Sequence, residues 1–158
     1  MDVIVYGALC EEGREHECGR ELLAVMLRQE LGISALPEIA AGTGGKPCFP
    51  ACPEICFNIS HSYGAVVCAI HDHPVGVDVE KLRPAPKRLA AGKTDEAFFR
   101  WWTMGEAALK REGGSALQLL RAAAPNPLTR HLEGFLPGWI VAVCPETEDP
   151  IRSLLVEI

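Results

Sequence analysis

The chain has 158 residues, 48% of them hydrophobic, and a formal charge of −6 from 15 basic and 21 acidic side chains. That length and composition exclude a disordered chain and support a single domain, or two small halves sharing one core. The acidic balance argues against general nucleic-acid binding, which needs a basic footprint. The longest apolar runs, Val3–Cys10 and Tyr63–Ile70, are eight residues each, far short of the about 20 that span a membrane as a helix. Met1-Asp2 begins without a basic stretch, so no signal peptide is expected. With it, the odd count of seven cysteines suggests free thiols in a reducing, cytoplasmic setting.

In chain order, Asp2–Leu9 reads as a strand rich in Val, Ile and Tyr, followed by a turn at Glu11–Gly13. Glu15–Leu31 reads as a helix with Leu22, Leu23, Met26, Leu27 and Leu31 on one stripe, stopped by Gly32. Pro37–Ala41 reads as a short extended piece, and Gly42–Pro47 is a loop by composition. Cys56–Ser60, Ala65–His71 and Val75–Glu80 read as strands, the last two joined by the turn Asp72-His73-Pro74. Close strands on tight turns predict an antiparallel meander. After Pro84 and Pro86, Thr94 or Asp95 caps a helix running to about Glu112, and Gly113-Gly114 ends it. Ser115–Ala123 reads as a short helix, Leu128–Gly134 and Trp139–Cys144 as a hairpin across Phe135–Gly138, and Ser153–Ile158 as a final strand.

Alternation along Gly76–Glu80 puts Asp78 and Glu80 on one face and Val77 and Val79 on the other. Two adjacent carboxylates repel unless a cation lies between them, and a hard ion such as Mg²⁺, shared with substrate phosphates, meets that need. A solvated edge face gives the same pattern. On the following helix, Phe98, Trp102, Gly105 and Leu109 form the expected apolar stripe, with Glu106 and Lys110 one turn apart on its flank. Those two are a third cation ligand or base with a phosphate-steadying lysine, or else an ordinary surface ion pair. In Ser60-His61-Ser62, the imidazole could bind an anion or shuttle a proton, and the Gly-rich loop with Lys46 upstream points the same way. Cys48, Cys52 and Cys56 lack the C-x₂-C spacing of zinc sites. His71-Asp72-His73 reads as a hairpin turn rather than a metal site.

Together these blocks resemble the 4′-phosphopantetheinyl transferases of the Sfp type. The likeness runs in family order through GKPCFP (45–50), FNISHS (57–62), VGVDVEKLRP (75–84) and FFRWWTMGEAALKREGG (98–114). GRELLAVMLRQELG (19–32) and LPGWIVAVC (136–144) resemble the leading helix and the closing hairpin. The resemblance implies an α/β (α+β), pseudo-duplicated fold of antiparallel sheets, each packed with a long helix, the single compact domain 1–158 being built of two pseudo-repeat halves at approximately 1–64 and 65–158. It implies transfer of 4′-phosphopantetheine from coenzyme A to a serine of an apo acyl or peptidyl carrier protein, releasing 3′,5′-ADP, as in holo-acyl-carrier-protein synthases. Carried onto this chain, Asp78, Glu80 and Glu106 hold Mg²⁺ or Mn²⁺. His61 and Lys110 contact phosphates, and Gly45, Lys46, Pro47 and Ser60 line the nucleotide site. Glu106, Lys110 and His61 then carry the catalysis, with Glu106 taking the serine proton directly or through water.

Three departures stand out. Gly105 occupies the position where the family carries a Lys before the Glu, and 21 residues (Lys81–Trp101) separate Glu80 from Trp102 where a longer insert is usual. The cations for the coenzyme A 3′-phosphate are not fixed by any motif; Arg14, Arg20 and Arg28 are the candidates. The alternatives are a degenerate relative that binds coenzyme A or a carrier protein without transfer, and a metal or redox protein using Cys48–Cys56.

Overall fold

The computed structural model describes residues 1–114 and 125–158; the helix expected at 115–123 lies outside them. The chain opens with β1 (Val3–Leu9) and α1 (Glu15–Leu31). Short strands β2 (Ala40–Ala41) and β3 (Pro47–Cys48) follow, then β4 (Cys56–Ser62), β5 (Ala65–His71) and β6 (Val75–Lys81). Next come α2 (Lys87–Ala90), α3 (Asp95–Glu112), β7 (Arg130–His131), β8 (Trp139–Pro145) and β9 (Ile151–Leu155). The mixed α/β class is as expected.

Helix ends follow local chemistry. Gly32, at φ +69°, donates its N–H to Arg28 O while Ile33 N–H reaches back to Leu27 O, a glycine-closed C-terminus. Thr94 Oγ1 accepts the Ala97 N–H at 3.2 Å and starts α3. Asp95 and Glu96 then lie in its first turn, and Lys110 and Arg111 in its last, each matched to the helix dipole.

The main sheet has the order β4-β5-β1-β9, and a second sheet the order β6-β8-β7. Two expectations fail here and a third holds only in part. The meander stops at β5, because both edges of β5 are already taken by β4 and β1, and β6 pairs with β8 instead. β9 joins β1 in parallel, so the main sheet is not wholly antiparallel. Of the strand expected at Leu128–Gly134, only Arg130–His131 pairs.

Period-two alternation divides the main sheet between two cores. Ile4, Tyr6, Val66, Cys68 and Ile70 pack with Leu22, Leu23, Met26 and Leu27 of α1. Val3, Val5, Ala65, Val67 and Ala69 pack with Val75, Val77, Val79, Val141 and Val143 of the second sheet. Buried on both faces, β5 is therefore apolar from Ala65 to Ile70, with the buried His71 at its end. Leu31, expected on the stripe of α1, is exposed at its end.

α3 closes over the second sheet, with Ala107 against Ala142 and Cys144. Its buried residues are Phe98, Phe99, Thr103 and Ala107 rather than the stripe expected through Trp102 and Leu109. The helix comes close because residue 76 has no side chain: a Cβ there would stand 1.9 Å from Ala107 O.

Candidate active site

Two neighbouring strands that share no backbone ladder make the site. β4 lays alternate side chains along the free edge of β6. Asn58 Oδ1 accepts the Val77 N–H (2.9 Å), Ser60 Oγ the Val79 N–H (3.2 Å) and Ser62 Oγ the Lys81 N–H (3.0 Å). These bonds satisfy edge donors that a ladder would otherwise take. The hydroxyls then donate onward, Ser60 to Asp78 Oδ1 (3.1 Å) and Ser62 to Glu80 Oε2 (3.2 Å). The period-two polar run Asn58-x-Ser60-x-Ser62 is the signal in the sequence for this seam.

Beside the seam, Asp78 and Glu80 face a cleft of about 350 Å³, also lined by Ile59, Ser60, His61, Trp102, Glu106 and Lys110. Trp102, Glu106 and Lys110 stand one helical turn apart on α3, so a single face of that helix forms one wall. All the expected carboxylates thus meet Lys110, Ser60 and His61 in one place. Lys110 Nζ donates to Asp78 Oδ1 at 2.6 Å and to Ser60 Oγ at 3.0 Å.

The electrostatics of the cleft are unbalanced. Asp78 is 3% exposed. Its burial pushes the carboxyl up to about 7; the Lys110 ammonium pulls the other way and the Glu80 and Glu106 charges add to the rise. Desolvation outweighs even a 2.6 Å ion pair. Glu106 is likewise pushed up by burial. Asp78 Oδ2 and Glu106 Oε1 are buried with no hydrogen-bond partner. Orphaned acceptors of like charge in one cleft suit a hard divalent cation, which takes oxygen ligands from carboxylates and leaves room for phosphate oxygens.

Not every expected residue reaches this cleft. Lys46 Nζ donates to Val75 O (2.9 Å) and Arg111 O (2.8 Å), tying the loop to the end of α3, and burial lowers its pKa. Gly45 lies in the exposed part of that loop at φ +79°. Pro47 borders a second groove of about 280 Å³ that shares Ile59, His61 and Lys110 with the cleft and adds His16 and Arg20. His16 was missed in the sequence; it lies one turn before Arg20 on α1, and only the fold carries both toward His61. The other site residue missed is Arg83, whose Nη1 donates to Glu80 Oε2 at 2.9 Å.

The two remaining clusters behave differently. All seven cysteines are free thiols. Among the described residues, the set of His, Cys, Asp or Glu whose ligand atoms all lie within 4.8 Å of one another is His71, Asp72 and His73. The three carboxylates of the cleft do not form such a group. His71 Nδ1 accepts the His73 N–H at 3.3 Å, and Nε2 faces Met1 O, Asp72 Oδ1 and Asp149 Oδ2 at 3.0–3.3 Å. Acceptors on that side put the ring proton on Nε2, where a metal would need a lone pair, so this is a hydrogen-bonded turn.

No family profile matches the chain. Among curated proteins it is similar to the 4′-phosphopantetheinyl transferase Sfp of Bacillus subtilis (strain 168), 36% identical over 85 residues, covering 44% of this chain and 38% of that protein. It is 34% identical over 114 residues to the 4′-phosphopantetheinyl transferase AcpT of Salmonella typhi, covering 60% and 59%. With AcpT of Escherichia coli (strain K12) the identity is 35% over 107 residues, covering 56% and 55%. The chain therefore spans less than two thirds of the length of these relatives.

Proposed function

The chain belongs to the 4′-phosphopantetheinyl transferase superfamily, and on that premise we propose that it moves 4′-phosphopantetheine from coenzyme A to a serine of an apo carrier protein. The observation that carries this is the cleft itself, where unpartnered oxygens of Asp78 and Glu106 are buried beside Lys110. In this reading Asp78, Glu80 and Glu106 hold Mg²⁺ or Mn²⁺. The ion's chemistry there is to neutralise charge on the pyrophosphate.

The chain's own residues do the rest. Lys110, within reach of Asp78 and Ser60, steadies a phosphate oxygen and the charge on the departing 3′,5′-ADP. His61, exposed where the cleft meets the second groove, contacts phosphate. Glu106, its carboxyl pushed up by burial, takes the serine proton. The serine oxygen forms the new bond to the phosphorus nearer the pantetheine, and the bond from that phosphorus to the bridging oxygen breaks, with both electrons leaving on 3′,5′-ADP. Pro47 and Ser60 border the nucleotide, with Gly45 and Lys46 shaping the loop beneath. Of the three arginine candidates, Arg20, paired with His16 in the adjoining groove, takes the 3′-phosphate.

The fold reading is pseudo-duplication. The orders β4-β5-β1 and β7-β8-β6 are the same when β1-α1-β4-β5 is matched to β6-α3-β7-β8. That recurrence supports two halves joined at the β5–β6 turn, 72–74, rather than at 64/65, where the cut would part the paired strands β4 and β5. A binding-only relative is the second reading, favoured by Gly105, which takes a cation from the helix beside the cleft.

Intact-mass measurement decides between them. The chain is incubated with coenzyme A, Mg²⁺ and a panel of apo acyl and peptidyl carrier proteins. Gain of one phosphopantetheine on a carrier, abolished by a chelator and by Glu80→Ala, is the expected result. Coenzyme A binding with no gain on any carrier overturns transfer in favour of the binding-only reading.

A further inference from the structure

Two cations, Lys110 in the cleft and Arg83 beside it, each hold one oxygen of one carboxylate. Lys110 takes Asp78 Oδ1, and Arg83 takes Glu80 Oε2 at 2.9 Å, the oxygen that also receives the Ser62 hydroxyl at 3.2 Å. Neither donor to Glu80 is free to wander. Ser62 is fixed by the Lys81 N–H that it accepts. The Arg83 guanidinium carbon lies 4.5 Å from the Phe99 ring centre and 4.8 Å from that of Tyr63, and Nη1 also donates to Lys81 O at 2.9 Å. A planar cation stacked on two rings keeps its orientation and its fork of donors.

We propose that Arg83, with Ser62, is a positioning residue that ties back Glu80 Oε2, leaves Oε1 alone to meet a cation, and so selects Mg²⁺ over Ca²⁺. The proposal rests on the reading of Asp78, Glu80 and Glu106 as a cation site. Its physical basis is the difference between the two ions. Mg²⁺ demands a near-octahedral shell and is held by few protein oxygens, whereas Ca²⁺ takes six to eight and readily accepts both oxygens of a carboxylate. Releasing Oε2 offers Ca²⁺ an extra ligand that Mg²⁺ cannot use.

Isothermal calorimetry of the whole chain with Mg²⁺ and with Ca²⁺ tests this for the wild type, Arg83→Met, Arg83→Lys and Ser62→Ala, alongside metal-free thermal unfolding. Loss of a positive charge strengthens both divalent ions alike, so the ratio of the two affinities is the readout. The ratio is expected to move toward Ca²⁺ by about tenfold in Arg83→Met, with Arg83→Lys between that variant and the wild type. An unchanged ratio with both affinities raised makes Arg83 a counter-charge only and overturns the proposal. If Arg83→Met does not fold, Ser62→Ala carries the test, and an unchanged ratio there overturns it equally. A wild type that binds neither ion refutes the cation site itself, a failure visible before any variant is made.

Discussion

Asp78→Asn is expected to stabilise the metal-free protein while removing its response to Mg²⁺. In the fold the carboxyl is 3% exposed and its pKa stands at about 7 against 3.8 in the unfolded chain. Below about pH 4 it is protonated in both states and costs nothing. As pH rises from about 4 to 7 the unfolded chain ionises while the fold retains its proton, so stability falls. Above 7 the loss levels off at about 4 kcal/mol, three pKa units at about 1.4 kcal/mol each. Asn stands in for the neutral carboxyl, has no proton to lose and still accepts from Ser60 and Lys110; the ion pair it forgoes is already contained in the value of about 7, so the net gain at pH 8 is about 4 kcal/mol. Urea titrations of both proteins in chelator at pH 4.5, 6 and 8 read the gap directly. It should widen steadily toward pH 8 and narrow again in Mg²⁺, which stabilises only the parent. A gap independent of pH, or a variant less stable than the parent at pH 8, refutes the claim that desolvation outweighs the Lys110 pair.

Two further substitutions probe the frame around the cleft. Gly76→Ala places a Cβ 1.9 Å from Ala107 O and 2.5 Å from Arg111 N, helix backbone that cannot swing aside, and should cost about 3 kcal/mol or more in urea unfolding; a change below about 0.5 kcal/mol contradicts this packing of α3 on β6. Lys46→Met removes two hydrogen bonds from an ammonium to Val75 O and Arg111 O. It should lose about 2 kcal/mol and speed amide exchange in the last turn of α3, whereas weaker coenzyme A binding at unchanged stability shows that Lys46 serves the ligand instead.

Local pattern and tertiary structure contributed different parts of this site. Residue alternation is enough to put Asp78 and Glu80 on one side of β6, and helical spacing is enough to align Glu106 with Lys110, because both depend only on backbone period. Glycines and a threonine cap likewise mark the ends of α1 and α3 from their own conformational needs. Strand partners are another matter. β6 looks like the third strand of a meander until both edges of β5 are seen to be occupied, and β9 lies parallel to β1 across most of the chain's length. The seam from Asn58, Ser60 and Ser62 to β6, the approach of His16 and Arg20 to His61, the seating of Arg83 against Phe99 and the removal of Lys46 to the end of α3 all join residues on different elements. The raised pKa of Asp78 has the same origin: a carboxylate's solvation is set by what the rest of the chain packs over it, and no spacing along one strand encodes that.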